Sequence, residues 1–232
     1  QAEISKIASY MFFVIGGIIL VYSFISLIKY GLSFTIFGLI FFLALILQMG
    51  AFFFNKYTHY VGGYGGERTV IRHLRNLDNR YYLINDVMPP NSNGNMDHVL
   101  LGPNGIFVIE TKNLEGLIRC EEDNWYQYKQ EWKTLNEYER KSPSKYVKFN
   151  ALKLKKFIES KNIFKNPLKI WVDGIVVFTS NNVQLKLVNP TVTVLKIGEL
   201  MKYIKNKKSD TTFSSQEIEL IGKSILDWAE ID

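Results

Sequence analysis

Hydrophobic and polar positions along the chain fall into two regimes. Residues 8–28 and 32–54 contain no Asp, Glu, Lys, Arg or His. Each stretch is long enough to cross a ~30 Å hydrocarbon core at ~1.5 Å rise per residue. Only Lys29-Tyr30-Gly31 lies between them, so the pattern predicts a helical hairpin with both ends on one side of a membrane. A cleaved signal peptide fits poorly, because its apolar region runs about 7–15 residues and ends at a cleavage site. Here the first stretch is longer and leads straight into the second. Gly16-Gly17, Ser23 and Ser26 are small positions at which two such helices can approach closely.

Beyond residue 56 the pattern becomes that of a water-soluble domain. Gly62-Gly63-Tyr64-Gly65-Gly66 predicts a flexible linker over 57–66. No Gly-Lys-Ser/Thr follows it, so a nucleotide-binding phosphate loop is not expected. A helix is expected over 66–78, with Val70, Ile71, Leu74 and Leu77 at helical spacing. Glu67 lies on the same stripe and is expected to point toward the core. The ordinary alternative is an acidic residue favoured by the helix dipole in the first turn.

Strands are expected over 81–87, 96–101 and 106–112, the last two joined by the turn Gly102-Pro103-Asn104-Gly105. If Gly102 pairs with Gly105, Asp97 stands across from Glu110. If Asn104-Gly105 forms a two-residue loop instead, Asp97 faces Lys112. Either register leaves Asp97, Glu110 and Lys112 on one face, shared with Val99, Leu101, Ile106 and Val108, because strand side chains alternate. Two carboxylates and a lysine on an apolar face are costly to bury unless they bind something. A salt bridge from Lys112 to either carboxylate is the simpler use for them.

Short strands are expected over 118–120, 125–128 and 131–135. Their aromatics, Trp125, Tyr126, Tyr128 and Trp132, either stack on bases or pack on their own sheet. A helix over 144–161 places Val147, Ala151, Leu154 and Ile158 on one side. Lys145, Lys148, Lys155 and Lys156 project from the other, to track a phosphate backbone or simply face solvent. A buried strand over 170–179, a short strand over 192–195 and a helix over 197–206 follow. Ser214-Ser215-Gln216-Glu217 is a capping box opening a last helix with Ile218, Ile221, Ile225 and Trp228 on one face.

The formal net charge is +6, and only Glu3, Lys6 and Lys29 fall within residues 1–54. Lys6, Lys56, Arg68 and Arg72 outweigh Lys29 in the turn, which favours a cytoplasmic domain. A single cysteine, Cys120, permits no internal disulfide and agrees with a reducing compartment. His59, His73 and His98 lack the spacing of a zinc site, so a zinc enzyme is not expected. A freely soluble chain, a disordered tail and a multi-pass transporter are excluded by the same arithmetic.

The hairpin Met96-Asp97-His98-Val99-Leu100-Leu101-Gly102-Pro103-Asn104-Gly105-Ile106-Phe107-Val108-Ile109-Glu110-Thr111-Lys112-Asn113 closely resembles the signature of the nuclease-related domain (NERD) family. Gly65-Gly66-Glu67-Arg68 is similar to that family's opening motif, and Asp173-Gly174-Ile175-Val176-Val177-Phe178 to its later core strand. The resemblance covers about residues 62–205. It implies the PD-(D/E)xK nuclease fold, an α/β restriction-endonuclease-like mixed sheet flanked by helices, here preceded by two transmembrane helices. It further implies a phosphodiesterase with Asp97, Glu110 and Lys112 as central triad and Glu67 in support. Family members usually carry a glutamine in the helix over 144–161; Tyr146 stands there instead, with Asn150 the nearest inward polar group.

Such chemistry suits Mg²⁺, with Mn²⁺ as substitute, since hard oxygen ligands and retained waters satisfy it. Asp97, Glu110 and the Thr111 carbonyl are the expected ligands, with Lys112 beside the reacting phosphate or water. Glu67 is expected to orient a water or help hold a second metal. The expected organisation is an anchor over 1–56, the linker, a nuclease-related domain over 67–205 and a C-terminal helix packing on it within 206–232. The expected function is a membrane-anchored nuclease acting on DNA, with two spans in the cell membrane and a hairpin able to support oligomers. The alternative is a membrane-tethered nucleic-acid or protein-binding module with a degenerate nuclease fold. The intact Asp–Glu–x–Lys set favours the enzyme, the missing glutamine the binder. A weaker third option is a structural membrane protein.

Overall fold

The computed structural model describes residues 2–31, 34–92, 94–131, 134–161, 170–209 and 211–229. Two compact units emerge, residues 1–64 and 65–232.

The first unit holds α1 (Ala2–Tyr30) and most of α2 (Phe34–Leu74). Gly31, with φ of +67°, ends α1 and donates its N–H to the Leu27 carbonyl at 3.0 Å. Small residues set the contact between the helices. Ser9 donates its hydroxyl to the Gly50 carbonyl at 3.1 Å. A Cβ added at Gly16 would meet Leu47 at 3.3 Å, and one at Gly50 would meet Phe13 at 3.2 Å. Phe12 stacks on Phe53 at 5.6 Å between ring centres. Of the other small positions expected to matter, Gly17 faces open space, and Ser23 bonds its own helix at Ile19. Both helices are long and apolar enough to span a membrane, with mean hydropathy of 2.5 and 2.3. Their large apolar side chains, Ile18 and Phe41 among them, point outward rather than into a core. The expected start of the second span, residues 32–33, lies outside the described residues.

The glycine-rich stretch expected as a flexible linker is helical throughout, part of α2. The helix runs on despite the poor propensity of its glycines, each costing ~1 kcal/mol relative to Ala; Gly62, Gly63 and Gly65 face open space. Gly66 shows why one of them is needed. A Cβ there would lie 3.0–3.2 Å from side-chain atoms of Thr179, Asn113 and Thr111, so glycine lets the helix sit this close without displacing them. The helix ends at Leu74, short of the expected residue 78.

The second unit is built on a five-stranded sheet. Its strands are β1 (Tyr82–Val87), β2 (Met96–Gly102), β3 (Gly105–Lys112), β7 (Val172–Phe178) and β9 (Thr193–Lys196), in the order β1-β2-β3-β7-β9. β1, β2 and β3 are antiparallel, whereas β7 and β9 add in parallel. One face, carrying Val99, Val108 and Val176, packs on α3 (Pro143–Ser160) and α5 (Ser215–Trp228). The other face, carrying Leu100, Phe107 and Ile175, packs on Val70 and Leu74 of α2 and on α4 (Ile197–Asn206). The capping box at Ser214 is formed, and Trp228 of α5 stacks on Phe157 of α3 at 4.2 Å.

A second sheet of order β6-β5-β4-β8 joins β4 (Gly116–Glu121), β5 (Asn124–Glu131), β6 (Thr134–Arg140) and β8 (Val183–Val188). β8, not expected from the sequence, pairs in parallel with β4. Trp125 is not available for base stacking. It is buried, stacks on Phe178 at 5.8 Å and donates its indole N–H to Ser144 at 2.8 Å. Tyr126 lies half-buried beneath Arg119, and Trp132 lies outside the described residues. Cys120 is buried on β4, its Sγ donating to the Glu122 carbonyl, and burial pushes its thiol up to about 11.

Gly116 opens the second sheet with φ of +83°, and a Cβ there would meet the Tyr128 carbonyl oxygen at 2.7 Å. Backbone cannot yield as a flexible side chain can. Gly116→Ala is therefore expected to destabilise the folded domain by about 1–3 kcal/mol. Thermal melting of the detergent-solubilised chain checks this, and an unchanged melting temperature would contradict it.

Candidate active site

The site begins with strand register. Gly102 pairs with Gly105 and His98 with Ile109, the first of the two registers the turn allowed. One step beyond that last pair, Asp97 stands opposite Glu110. On the other side of β2, Asn85 pairs with His98 and Val87 with Met96, which places Asp86 opposite Asp97. Three acidic residues thus succeed one another across β1, β2 and β3. They run from exposed Asp86 through half-buried Asp97 to Glu110, 5% exposed. Asp86 was missed in the sequence because no tight turn between β1 and β2 reveals their register.

Local bonds hold the row. The Thr111 N–H donates to Asp97 Oδ2 at 2.7 Å, and Lys112 Nζ to Glu110 Oε1 at 2.5 Å. Asn95 Nδ2 donates to Asp86 Oδ1 at 2.9 Å. On the reverse face, buried His98 lies 2.8 Å from Asn85 Oδ1 through Nδ1 and 3.2 Å from Thr111 Oγ1 through Nε2. Asn85 Oδ1 only accepts, so Nδ1 carries the proton and Nε2 accepts from the threonine. Burial holds this imidazole down to about 4, hence neutral near pH 7. His98 therefore steadies Thr111, whose N–H in turn steadies Asp97.

Crowding of the carboxylates shows in their proton affinity. Glu110 is pushed up to about 7, first by burial and then by the charge of Asp97, against the pull of Lys112. Asp97 is raised by burial, with the Thr111 N–H and Lys112 opposing. Glu67, half-buried on α2, is pushed up to about 7 by burial and then by Asp97 and Asp86. Close approach at Gly66 delivers Glu67 to this edge of the sheet.

A carboxyl with folded pKa above its ordinary 4.5 favours the folded state only while protonated. That stabilisation is complete below 4.5 and is lost as pH rises through 7. Without divalent cation, the melting temperature is therefore expected to rise as pH falls from 7.5 to 5.5. Glu110 contributes on the order of 2 kcal/mol, at 1.36 kcal/mol per pKa unit, and more exposed Glu67 less. Glu110→Gln should remove most of the rise; a pH-independent melting temperature would contradict it.

Asp97, Glu110 and Lys112 open on a cleft of 740 Å³, shared with Asn95, Asp123, Asn124, Lys145, Tyr146 and Phe149. Tyr146, where the family glutamine was expected, donates its hydroxyl to the Asn95 carbonyl at 2.6 Å and ties α3 to the approach to β2. Burial raises its pKa, and Glu110 and Asp97 add to the shift. Asn150, one turn on, is 1% exposed, and its amide nitrogen meets no hydrogen-bond partner among the described residues. The helix lysines meet different surroundings. Lys145 lines the cleft, Lys148 is bound to Asp123 and Thr191, Lys155 sits near Glu159, and Lys156 is exposed. Asp123, Asn124, Lys141 and Phe149 on the cleft wall carry no signal in the sequence, because they meet only when β5 folds beside α3.

Among the described residues no group of three or more His, Cys, Asp or Glu gathers closely enough to hold a metal by itself. Asp97 and Glu110 still fit a hard cation that keeps several waters, since their like charges crowd in a half-buried site. A mixed sheet flanked by helices, with this acidic row and lysine opening on a cleft, defines a nuclease-related α/β domain. The family model described as nuclease-related domain (NERD) matches residues 62–179, about half the chain, and the chain belongs to that family. No curated protein and no solved structure matches it.

Proposed function

We propose that this chain is a membrane-anchored, Mg²⁺-dependent nuclease that hydrolyses phosphodiester bonds in DNA. The observation that carries the reading is the convergence of Asp97, Glu110 and Lys112 at one cleft. Asp97, Glu110 and the Thr111 carbonyl would hold the cation, which when bound neutralises phosphate charge and acidifies water. The chain's own groups supply the rest. Lys112, its side chain 32% exposed, offers a positive charge to a phosphate oxygen at the cleft mouth. Glu67, with its pKa near 7, can take a proton from water at neutral pH. The Thr111 N–H and the His98 contact keep Asp97 in place. Lys145 brings positive charge to the opposite wall.

The two apolar helices serve as the anchor, and the basic flanks favour a cytoplasmic domain. The second reading, a tethered binding module, is favoured by Tyr146 in the glutamine's place and by Lys112 already paired with Glu110. Incubating the full chain in detergent with labelled DNA and RNA, with and without Mg²⁺, separates the two. Cleavage only with Mg²⁺ or Mn²⁺ is the expected result, and binding without cleavage selects the module.

A further inference from the structure

A second cavity, of 580 Å³, opens beside α3. Its lining includes Lys148, Leu152, Lys155, Trp171, Asp173 and Thr191. Trp171 is 64% exposed, yet its indole edge is fixed: the N–H donates to Asp173 Oδ1 at 2.9 Å. Asp173 is neutralised in turn by Lys207, 2.9 Å from its other oxygen. Lys155 Nζ stands 6.0 Å from the ring centre. A mostly exposed aromatic ring held at its edge, with an ammonium over one face, has the composition of a base-stacking platform.

The cavity adjoins the candidate active cleft. Lys148 donates to Asp123 at 2.7 Å and to Thr191 at 2.9 Å; Asp123 lines the first cleft, while Lys148 and Thr191 line the second. This one clasp separates them. On α3, Lys145 and Phe149 face the first cleft, and Leu152 and Lys155 the second. Tyr146 and Lys155 are ~13.5 Å apart along the axis at ~1.5 Å per residue, a reach that calls for an extended strand rather than a mononucleotide.

Resting on the nucleic-acid reading above, we propose that the Trp171 cavity is a base-stacking subsite for a single strand whose reacting phosphate lies in the first cleft. A base within a duplex already has both faces covered by its neighbours, so the occupant is an unpaired nucleobase. Lys155 takes a phosphate beside it, and the substrate is single-stranded at this point.

The test uses the full chain in detergent, with chelator present so that nothing is cut. Fluorescent single-stranded DNA, its duplex and single strands carrying one abasic position are titrated. The wild type is expected to bind the single strand more tightly than the duplex. Trp171→Ala should weaken single-strand binding about tenfold, with Trp171→Phe restoring most of it. An abasic position placed over the subsite should weaken the wild type but leave Trp171→Ala unaffected. Lys155→Gln should reduce the log–log salt slope by about 0.7 for single strands, a second readout should Trp171→Ala fail to fold. Equal affinity of wild type and Trp171→Ala for the single strand, or an unchanged salt slope where only Lys155→Gln folds, overturns the subsite. Binding of duplex alone, or of neither form, overturns it while leaving the nuclease reading to cleavage with Mg²⁺.

Discussion

Asp97→Asn and Glu110→Gln are each expected to lower cleavage by about 10²–10³-fold or more, the scale on which removal of one positioned charge-stabilising group acts. The same two variants should lose the rise in melting temperature that Mg²⁺ or Mn²⁺ gives the wild type. A ligand present at 100 times its Kd stabilises the folded state by about 2.7 kcal/mol, so the shift is readily measured. Its origin is the crowding of Glu110 by burial and by Asp97, which a cation relieves. Lys112→Ala separates the roles. It should abolish cleavage yet keep the metal response, because lysine contributes charge rather than a ligand. Wild-type cleavage by Asp97→Asn would sink the enzyme reading and leave the tethered module in its place.

The second large effect is all-or-none. The full chain should stay in the membrane pellet through high-salt and carbonate washes, conditions that strip proteins held by charge alone. The apolar surfaces of α1 and α2 face outward with mean hydropathy of 2.5 and 2.3, and among the described residues of the first unit most of their large apolar side chains are exposed. Recovery of the intact chain in the soluble fraction without detergent would refute the anchor.

How much of this was legible depended on the range of each interaction. The turn Gly102-Pro103-Asn104-Gly105 narrowed β2 and β3 to two registers, and both kept the three site residues on one face. Choosing between them took tertiary structure. α3 was legible because Val147, Ala151, Leu154 and Ile158 repeat at helical spacing, and all four are buried. β8 escaped notice because it is mostly exposed and pairs in parallel with a strand more than sixty residues earlier. Its alternation of Val183, Leu185 and Leu187 with polar residues was the available signal. The glycines of 62–66 misled for a related reason. Composition marks them as loose, and only the distant side chains of Thr111, Asn113 and Thr179 explain why Gly66 belongs in a helix. Asp86 belongs to the same class, since its place beside Asp97 follows from pairing rather than from neighbours in sequence.

Cys120 has a practical consequence for the experiments above. Its thiol is enclosed and pushed up to about 11, whereas maleimide coupling needs an accessible thiolate. The native chain is therefore silent to such reagents while folded. A single cysteine introduced at an exposed position away from the cleft, such as Leu220, would carry a dye or spin label at one known place, with the native thiol left untouched.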